Sequence, residues 1–180
     1  ISTSVVKYGT GSIYFDGVGD AMIAKPNDIF SFRTSNFTVE AWVCPNAAYT
    51  TYNYIWATGA NDGLVVYVSG GVLYARAYNV IDLLASSVAP ALNAWSHVAV
   101  TRSGTTLRIF VNGVQTGTTT NSTNFATGSG LVGNDGTNAA PWYGYISDLR
   151  VVKGTALYTG NFTPPTAPLT PTANTSLLLS

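Results

Sequence analysis

Charged residues are scarce in this chain of 180 residues. They make up 9% of the sequence, whereas about 25% is usual for a globular domain. Eight basic residues balance eight acidic ones, so the formal net charge is zero. A neutral chain lacks the basic surface with which proteins bind nucleic acid or anionic lipid. We therefore expect no nucleic-acid partner and no polybasic attachment to a membrane.

Cysteine and long apolar runs are also scarce. Cys44 is the only cysteine, so the chain cannot form an internal disulfide or a cysteine metal cluster, and we expect a small buried side chain there. No apolar run approaches the roughly 18 residues of a membrane span, so we expect no membrane insertion. Hydrophobic residues nevertheless make up 46% of the sequence. That share excludes a disordered chain and suffices for the core of one domain.

Most of the sequence shows the period-two alternation of β-strands. In FTVEAWV, four apolar side chains fall on one face: Phe37, Val39, Ala41 and Val43. Gly70-Gly71 and Asn112-Gly113 predict two-residue hairpin turns, whose central residues need positive φ. Glycine, threonine and β-branched residues interrupt every helical pattern. The sequence therefore predicts an all-β fold, a two-sheet antiparallel β-sandwich.

The last part of the chain differs from the rest. The sequence predicts the sandwich over residues 1–162 and a proline-rich extended tail over residues 163–180. The apolar end of the tail, Leu177 to Leu179, predicts a short strand that either packs on the domain or leads to a following one. Because these leucines are too apolar to be left in water, we expect other copies or domains in one assembly.

Four segments, in the correct order, resemble concanavalin A-like and laminin-G-like jelly-roll domains. They are GSIYFDGVGDAMIA, FTVEAWVCP, WSHVAVTRSGTTLRIFVNGV and YGYISDLRVVKGTALYTGNFTPP. They are especially similar to versions found in the tail-fibre and surface proteins of bacteriophages. The resemblance implies two facing antiparallel sheets, binding on a concave face or loop rim, and often calcium. It says less about activity, because the fold hosts lectins, adhesion modules, glycosidases and spacers.

Candidate catalytic residues are few. Glycoside hydrolases of this fold use paired acidic residues, but Glu40 is the only glutamate and no strand carries two acids two residues apart. We expect Glu40 to form an ion pair with Arg102 or Arg150. His97 is the only histidine and no nucleophile-elbow pattern exists, so we expect a packed or hydrogen-bonded strand histidine. The sequence therefore predicts that the protein is not an enzyme.

Strand parity predicts which loops share an end of the sandwich. If each connection reverses the chain, one rim carries the loops at 60–63, 80–94, 112–113 and 134–141. The opposite rim then carries the loops at 70–71, 103–104 and 121–128. Asp62 and Asp82 would therefore lie beside the stretch GNDGTNAAPWYG, which begins at Gly133.

Calcium is the cofactor that these acids predict, because the ion prefers hard oxygen ligands from loops. The resemblance to laminin-G-like domains implies one ligand from an acid just before a strand, which is Asp62. It implies a second from the later loop, where Asn134 and Asp135 lie. Asp82 is a further candidate ligand at the same rim.

Two alternatives to this calcium site stay open. TGAND and VGNDG are also typical of ordinary turns, in which Asn and Asp side chains bond their own backbone. Asp16 and Asp148 are a separate pair of candidates, because some sugar hydrolases of this fold bind calcium through an acid in the strand that resembles ISDLRV. The glutamate of that second site has no counterpart in the N-terminal segment here.

Loop aromatics are the candidates for ligand binding. Trp142 and Tyr143 follow the loop at 134–141, and Asn138 lies within it. An aromatic ring there can stack on a sugar face while an amide bonds its hydroxyl groups, although Trp142 can instead close the end of the sandwich. We expect these three residues to bind ligand beside Asp62.

The sequence thus favours a non-catalytic surface-binding module. Its partner would be a carbohydrate or a cell-surface receptor. It would be located on a virion surface or in an extracellular fibre. The alternative is a structural, decoration or filament subunit that mainly packs on copies of itself. An uncharged edge strand would favour this alternative, whereas a groove lined by aromatic and amide side chains would favour binding.

Overall fold

The fold is an antiparallel β-sandwich, as the sequence predicts. A computed structural model describes residues 1–24, 28–47, 52–59, 61–78, 81–137 and 141–180. Within these ranges the only helical element is a single 3-10 turn at Asp28–Phe30. No helix in the described part of the chain is long and apolar enough to cross a bilayer.

Thirteen strands follow one another along the described residues. They are β1 (Ile13–Asp16), β2 (Met22–Ala24), β3 (Phe37–Pro45), β4 (Asn53–Gly59), β5 (Leu64–Ser69), β6 (Val72–Ala77), β7 (Ile81–Ala85), β8 (Ser96–Ser103), β9 (Thr106–Val111), β10 (Val114–Thr120), β11 (Ser129–Val132), β12 (Tyr143–Lys153) and β13 (Thr175–Leu179). The seven-stranded sheet has the order β1-β12-β3-β8-β9-β10, with β13 also paired to β12. The six-stranded sheet has the order β2-β11-β4-β5-β6-β7.

The core lies between the two sheets, where the inward-facing apolar residues of each strand meet. The four apolar residues predicted for one face of β3 all belong to it. Cys44 is buried as expected, and burial raises the pKa of its thiol. Both predicted hairpins are present, with positive φ at Gly70-Gly71 and at Asn112-Gly113. The period-two patterns therefore predicted the right faces and turns.

The middle of the outer face of the seven-stranded sheet, at β3 and β8, is covered by the chain itself. After β12, residues 154–170 run across this face, and we name them the covering segment. The Leu157 amide donates to Thr38 Oγ1 at 2.9 Å, and Thr101 Oγ1 donates to the Tyr158 carbonyl at 2.8 Å. Every residue of β3 is consequently buried, including the polar ones. The chain then returns to this sheet through β13.

Strand β7 changes which loops share an end of the sandwich. The prediction from parity treated residues 80–94 as one connection. In the structure, Ile81–Ala85 forms a strand that pairs with β6. Because this strand reverses the chain once more, Asp62 lies at the end opposite to the Asn112-Gly113 turn. There the Ala126 amide donates to the Asp62 carbonyl at 3.1 Å. Parity correctly places Asp62 beside the connection after β6. It is wrong in placing Asp62 at the rim of the 112–113 turn and opposite the loop at 121–128.

Candidate functional site

Glu40 lies at the centre of a buried polar network beneath the covering segment. Its Oε1 accepts from Arg150 Nε at 2.8 Å and from Arg150 Nη2 at 2.6 Å. His97 Nε2 lies 3.1 Å from Oε2, which also accepts from the Tyr158 hydroxyl at 2.8 Å. Burial alone would raise the pKa of Glu40, but the hydrogen bond with His97 and the charge of Arg150 lower it below its ordinary value. The predicted ion pair with Arg150 and the hydrogen-bonded histidine are confirmed.

This network does not offer a catalytic carboxylate to a substrate. The Glu40 side chain is 0% exposed, and both of its oxygens are engaged. Arg102, the other predicted partner, instead donates to backbone carbonyls, among them Ser35 at 3.0 Å and Thr123 at 2.7 Å. The sheet face that carries Glu40 is therefore a packed layer and not a cleft.

The outer face of the six-stranded sheet is different, because tyrosine side chains line it. We name Tyr52, Tyr54, Tyr67, Tyr74 and Tyr78 the tyrosine face. The β5–β6 hairpin places Tyr67 opposite Tyr74, and their rings stack with centroids 5.0 Å apart and 8° between planes. Tyr54 and Tyr67 are buried, whereas Tyr74 and Tyr78 are half-buried and Tyr52 is 43% exposed. Two rings thus form a floor, and three reach solvent.

Polar groups of both charges accompany these rings. The connection after β11 folds back over the face, and the Tyr78 hydroxyl donates to Asp135 Oδ2 at 3.1 Å. The Arg76 guanidinium lies over Tyr52, with Cζ 5.5 Å from the ring centroid. The pKa of Tyr54 is raised, first by burial and then by the charge of Asp135. The arrangement combines apolar ring surface with hydrogen-bond donors and acceptors.

The predicted calcium ligands are only partly brought together. Asp62 and Asp135 flank Tyr78, whose carbonyl accepts from the Asp62 amide at 3.0 Å and whose hydroxyl binds Asp135. This proximity arises because the later connection folds back over the sheet, and not from strand parity. Asp82 lies within β7, and Asn138 lies outside the described residues.

The side-chain oxygens after β11 are engaged by nearby hydrogen-bond donors. Asp135 Oδ1 accepts from the Thr137 amide at 2.8 Å and from Thr137 Oγ1 at 2.7 Å. Asn134 Oδ1 accepts from the Gly136 amide at 3.0 Å. These are the local turns of the alternative interpretation, and the described residues contain no group of three His, Cys, Asp or Glu suited to a metal. In this arrangement the residues do not fit calcium, because their oxygens already face hydrogen-bond donors.

The second pair of calcium candidates is separated along β12. Asp16 pairs with Tyr143, whereas Asp148 follows five residues later in the same strand, which corresponds to roughly 16 Å. Asp16 is exposed and Asp148 is buried. Asp148 Oδ1 accepts from the Leu169 amide at 2.9 Å, which anchors the covering segment. The two acids therefore occupy different environments.

Trp142 and Tyr143 do not form a common binding surface. Trp142 is 0% exposed and belongs to the core. Its ring cannot stack on a ligand, so the predicted binding role of Trp142 is wrong and the alternative, a residue that closes the sandwich, describes it. Tyr143 is 37% exposed, but it begins β12 and lies on the seven-stranded sheet, away from the tyrosine face.

Comparison with solved structures finds the same fold at low sequence identity. A Bacteroides ovatus protein described as carbohydrate-binding superposes with a TM-score of 0.71 at 16% identity, over 89% of this chain and 49% of that one. Domain 4 of an extracellular arabinanase from Geobacillus stearothermophilus, in complex with arabinotriose, superposes with a TM-score of 0.62 at 18% identity. The match covers 79% of this chain and 70% of that one. The CBM40 domain of a Ruminococcus gnavus sialidase, bound to sialyllactose, superposes with a TM-score of 0.58 at 16% identity. The match covers 70% of this chain and 79% of that one.

These likenesses show the fold alone, and the chain spans about half of the Bacteroides ovatus protein. Comparison with curated protein sequences finds no match. A family model described as the concanavalin A-like lectin/glucanases superfamily matches residues 15–157, which include β2 to β12. The chain therefore belongs to the concanavalin A-like lectin/glucanases superfamily.

Proposed function

We propose that this domain is a non-catalytic carbohydrate-binding module whose glycan lies on the tyrosine face. The observation that carries the proposal is a sheet face on which Tyr52, Tyr74 and Tyr78 reach solvent beside Asp135 and Arg76. A tyrosine ring offers apolar surface to the C–H face of a sugar, and its hydroxyl donates and accepts hydrogen bonds. Because the Tyr74 ring already stacks on the buried Tyr67, binding orders few further groups there.

The other sheet is the weaker candidate for this role. Glu40 is buried beneath the covering segment, where it accepts from Tyr158, and Trp42 is buried with Tyr8 and Lys7 packed against its ring. The comparisons support a sugar ligand, since two of the similar structures hold oligosaccharides and a third is described as carbohydrate-binding. We extend the proposal to an attachment role at a virion surface or outside the cell, with a glycan or glycosylated receptor as partner.

A glycan array and soluble polysaccharides test the tyrosine face. We expect the native domain to bind at least one glycan. Loss of ring contact in the Tyr52→Ala/Tyr74→Ala double variant should weaken binding about tenfold, which corresponds to about 1.4 kcal/mol. Val114→Ala is the matched control, because Val114 is an exposed apolar residue on β10 of the other sheet. Unchanged binding in the double variant, or a native domain that binds no glycan, would refute the proposal.

Self-assembly is the second candidate function, and β13 favours it. This strand has no charged residue and, among the described strands, pairs only with β12. Leu177 and Leu179 pack against the core, whereas Leu178 is opposite Arg150. An uncharged open edge can accept a strand from another copy. Light scattering should then show oligomers that Leu178→Lys dissociates, and a native domain that stays monomeric at high concentration would contradict the idea.

A further inference from the structure

A second group of tyrosines lies at the edge of the seven-stranded sheet. Strands β1 and β12 place Tyr14 opposite Tyr145 and Asp16 opposite Tyr143. The four side chains form a two-by-two block, which we name the edge block. Tyr14 is 39% exposed, Tyr143 is 37% exposed and Tyr145 is half-buried. Three aromatic side chains at one exposed place are more than the scattered apolar residues of an ordinary surface.

The edge block faces away from the core. The residues that alternate with it, Phe15 and Ile146, both belong to the core between the sheets. Period-two geometry therefore directs Tyr14 and Tyr145 to the outer face. The tyrosine face lies on the outer side of the opposite sheet, so the two surfaces point in different directions and cannot share one sugar ring.

Neighbouring residues hold the rings of the edge block in place and leave them accessible. The ring centroids of Tyr14 and Tyr145 lie 5.0 Å apart, with 41° between planes. The turn after β1 passes over Tyr143 at Gly17, where φ is +81° and a Cβ would lie 3.1 Å from the Cβ of Tyr143. Glycine lets the turn pass close to this ring without a side chain of its own, and Tyr143 keeps 37% of its surface exposed. The surface is thus ordered before any ligand arrives.

Asp16 supplies the polar part of this surface. Its Oδ1 accepts from the Val18 amide at 2.7 Å, which orients the carboxylate. Together with three phenol groups it can accept and donate hydrogen bonds around a ring that stacks on tyrosine. The block itself contains a carboxylate and no cation, so it would repel uronic and sialic acids.

We infer that the edge block is a second glycan-binding site, and that it takes a neutral sugar ring. It is separate from the tyrosine face proposed above and does not require that site. A domain with two such surfaces on opposite sheets would contact two glycan chains, or two parts of one long chain. Such a pair of contacts raises the overall affinity for a multivalent surface.

Affinity electrophoresis in gels that contain a defined polysaccharide tests this inference. The probes are three neutral polymers, galactomannan, xylan and mixed-linkage β-glucan, and the acidic polymer polygalacturonate. We expect at least one neutral polymer to retard the native domain. The Tyr14→Ala/Tyr143→Ala variant should bind that polymer about tenfold more weakly, as expected for the loss of two ring contacts. Val114→Ala should migrate like the native domain.

Further variants separate this site from the tyrosine face and from a loss of folding. Tyr143→Ala alone keeps the Tyr14 ring and should weaken binding less than the double variant. This single variant tests the inference if the double variant does not fold. Asp16→Asn keeps an oxygen that can accept from the Val18 amide and removes the negative charge. This variant should therefore repel polygalacturonate less strongly than the native domain does. If Tyr52→Ala/Tyr74→Ala loses binding while both edge-block variants match the native domain, the edge block is no glycan site although the tyrosine face is one. The inference also fails if no neutral polymer retards the native domain, or if the variants change only its oligomeric state.

Discussion

The Tyr78 hydroxyl donates a hydrogen bond to Asp135 Oδ2 at 3.1 Å, and this contact joins the loop after β11 to the outer face of the six-stranded sheet. The other oxygen of the same carboxylate accepts two hydrogen bonds from Thr137. Asp135 is buried at this position. Its side chain therefore acts as an acceptor that folds the loop over the sheet, where the sequence had suggested a ligand for a metal ion.

Calcium is expected to leave the melting temperature of the native domain unchanged, because the oxygens of Asp135 already face hydrogen-bond donors. Asp135→Ala should destabilise the domain by about 1–3 kcal/mol, since the Tyr78 hydroxyl and the Thr137 amide lose their acceptor. The melting temperature would fall by about 2–4 °C for each kcal/mol. The native domain and Asp135→Ala are to be melted in calcium and in chelator, with Val114→Ala as the control. A calcium-dependent rise that Asp135→Ala abolishes would establish the metal site after all.

Trp142 and Tyr143 should respond very differently to truncation. Trp142→Ala removes a large side chain from the core and should lower the free energy of unfolding by about 3–5 kcal/mol. Tyr143→Ala removes a partly exposed ring and should cost about 1 kcal/mol or less. Urea unfolding of the two variants measures both values. Similar costs for the two substitutions would show that Trp142 is not the buried residue described here.

The fold was predictable because its signals are local. In β3, Phe37, Val39, Ala41 and Val43 occupy alternate positions, and these side chains face the core. Asn112-Gly113 predicts its hairpin because both residues readily adopt the positive φ that a two-residue turn requires, and both do so here. Strand β7 was missed because it has only five residues and its pairing with β6 contains a register shift between Ala75 and Arg76. Its sequence, IDLLA, also breaks the period-two alternation at Leu83 and Leu84, so the count from parity omits this strand.

The tyrosine face carried a signal that sequence reasoning overlooked. Tyr67 and Tyr74 are equally distant from the Gly70-Gly71 turn, so the hairpin register alone pairs them on one face. What the sequence could not show is which strands of the two outer faces the rest of the chain covers. That outcome depends on residues 154–170, which cover the other sheet through individual hydrogen bonds and have no regular period. The fold-back of Asp135 onto Tyr78 is likewise a long-range contact without a local pattern.

Protonation of Glu40 is expected to lower the stability of the domain in acid. Burial alone would raise the pKa of its carboxyl, but the hydrogen bond with His97 and the charge of Arg150 lower the pKa below the ordinary value of 4.5. A group whose pKa is lower in the folded state stabilises the fold above its unfolded pKa. That contribution is lost as the pH falls through the folded pKa. We therefore expect the part due to Glu40 to be complete at neutral pH and to decline below about pH 4.5.

Glu40→Gln tests this expectation, because it removes the charge and keeps the shape. The buried Arg150 would lose its counter-charge, so the free energy of unfolding at neutral pH should fall by about 3 kcal/mol. The variant should also lose part of the acid-dependent decline, since no carboxyl remains there to be protonated. Urea unfolding from about pH 3 to about pH 7 measures both effects, with the exposed Asp62→Asn as the control. A variant as stable as the native domain at neutral pH, with the same decline in acid, would mean that the pair with Arg150 contributes nothing to folding.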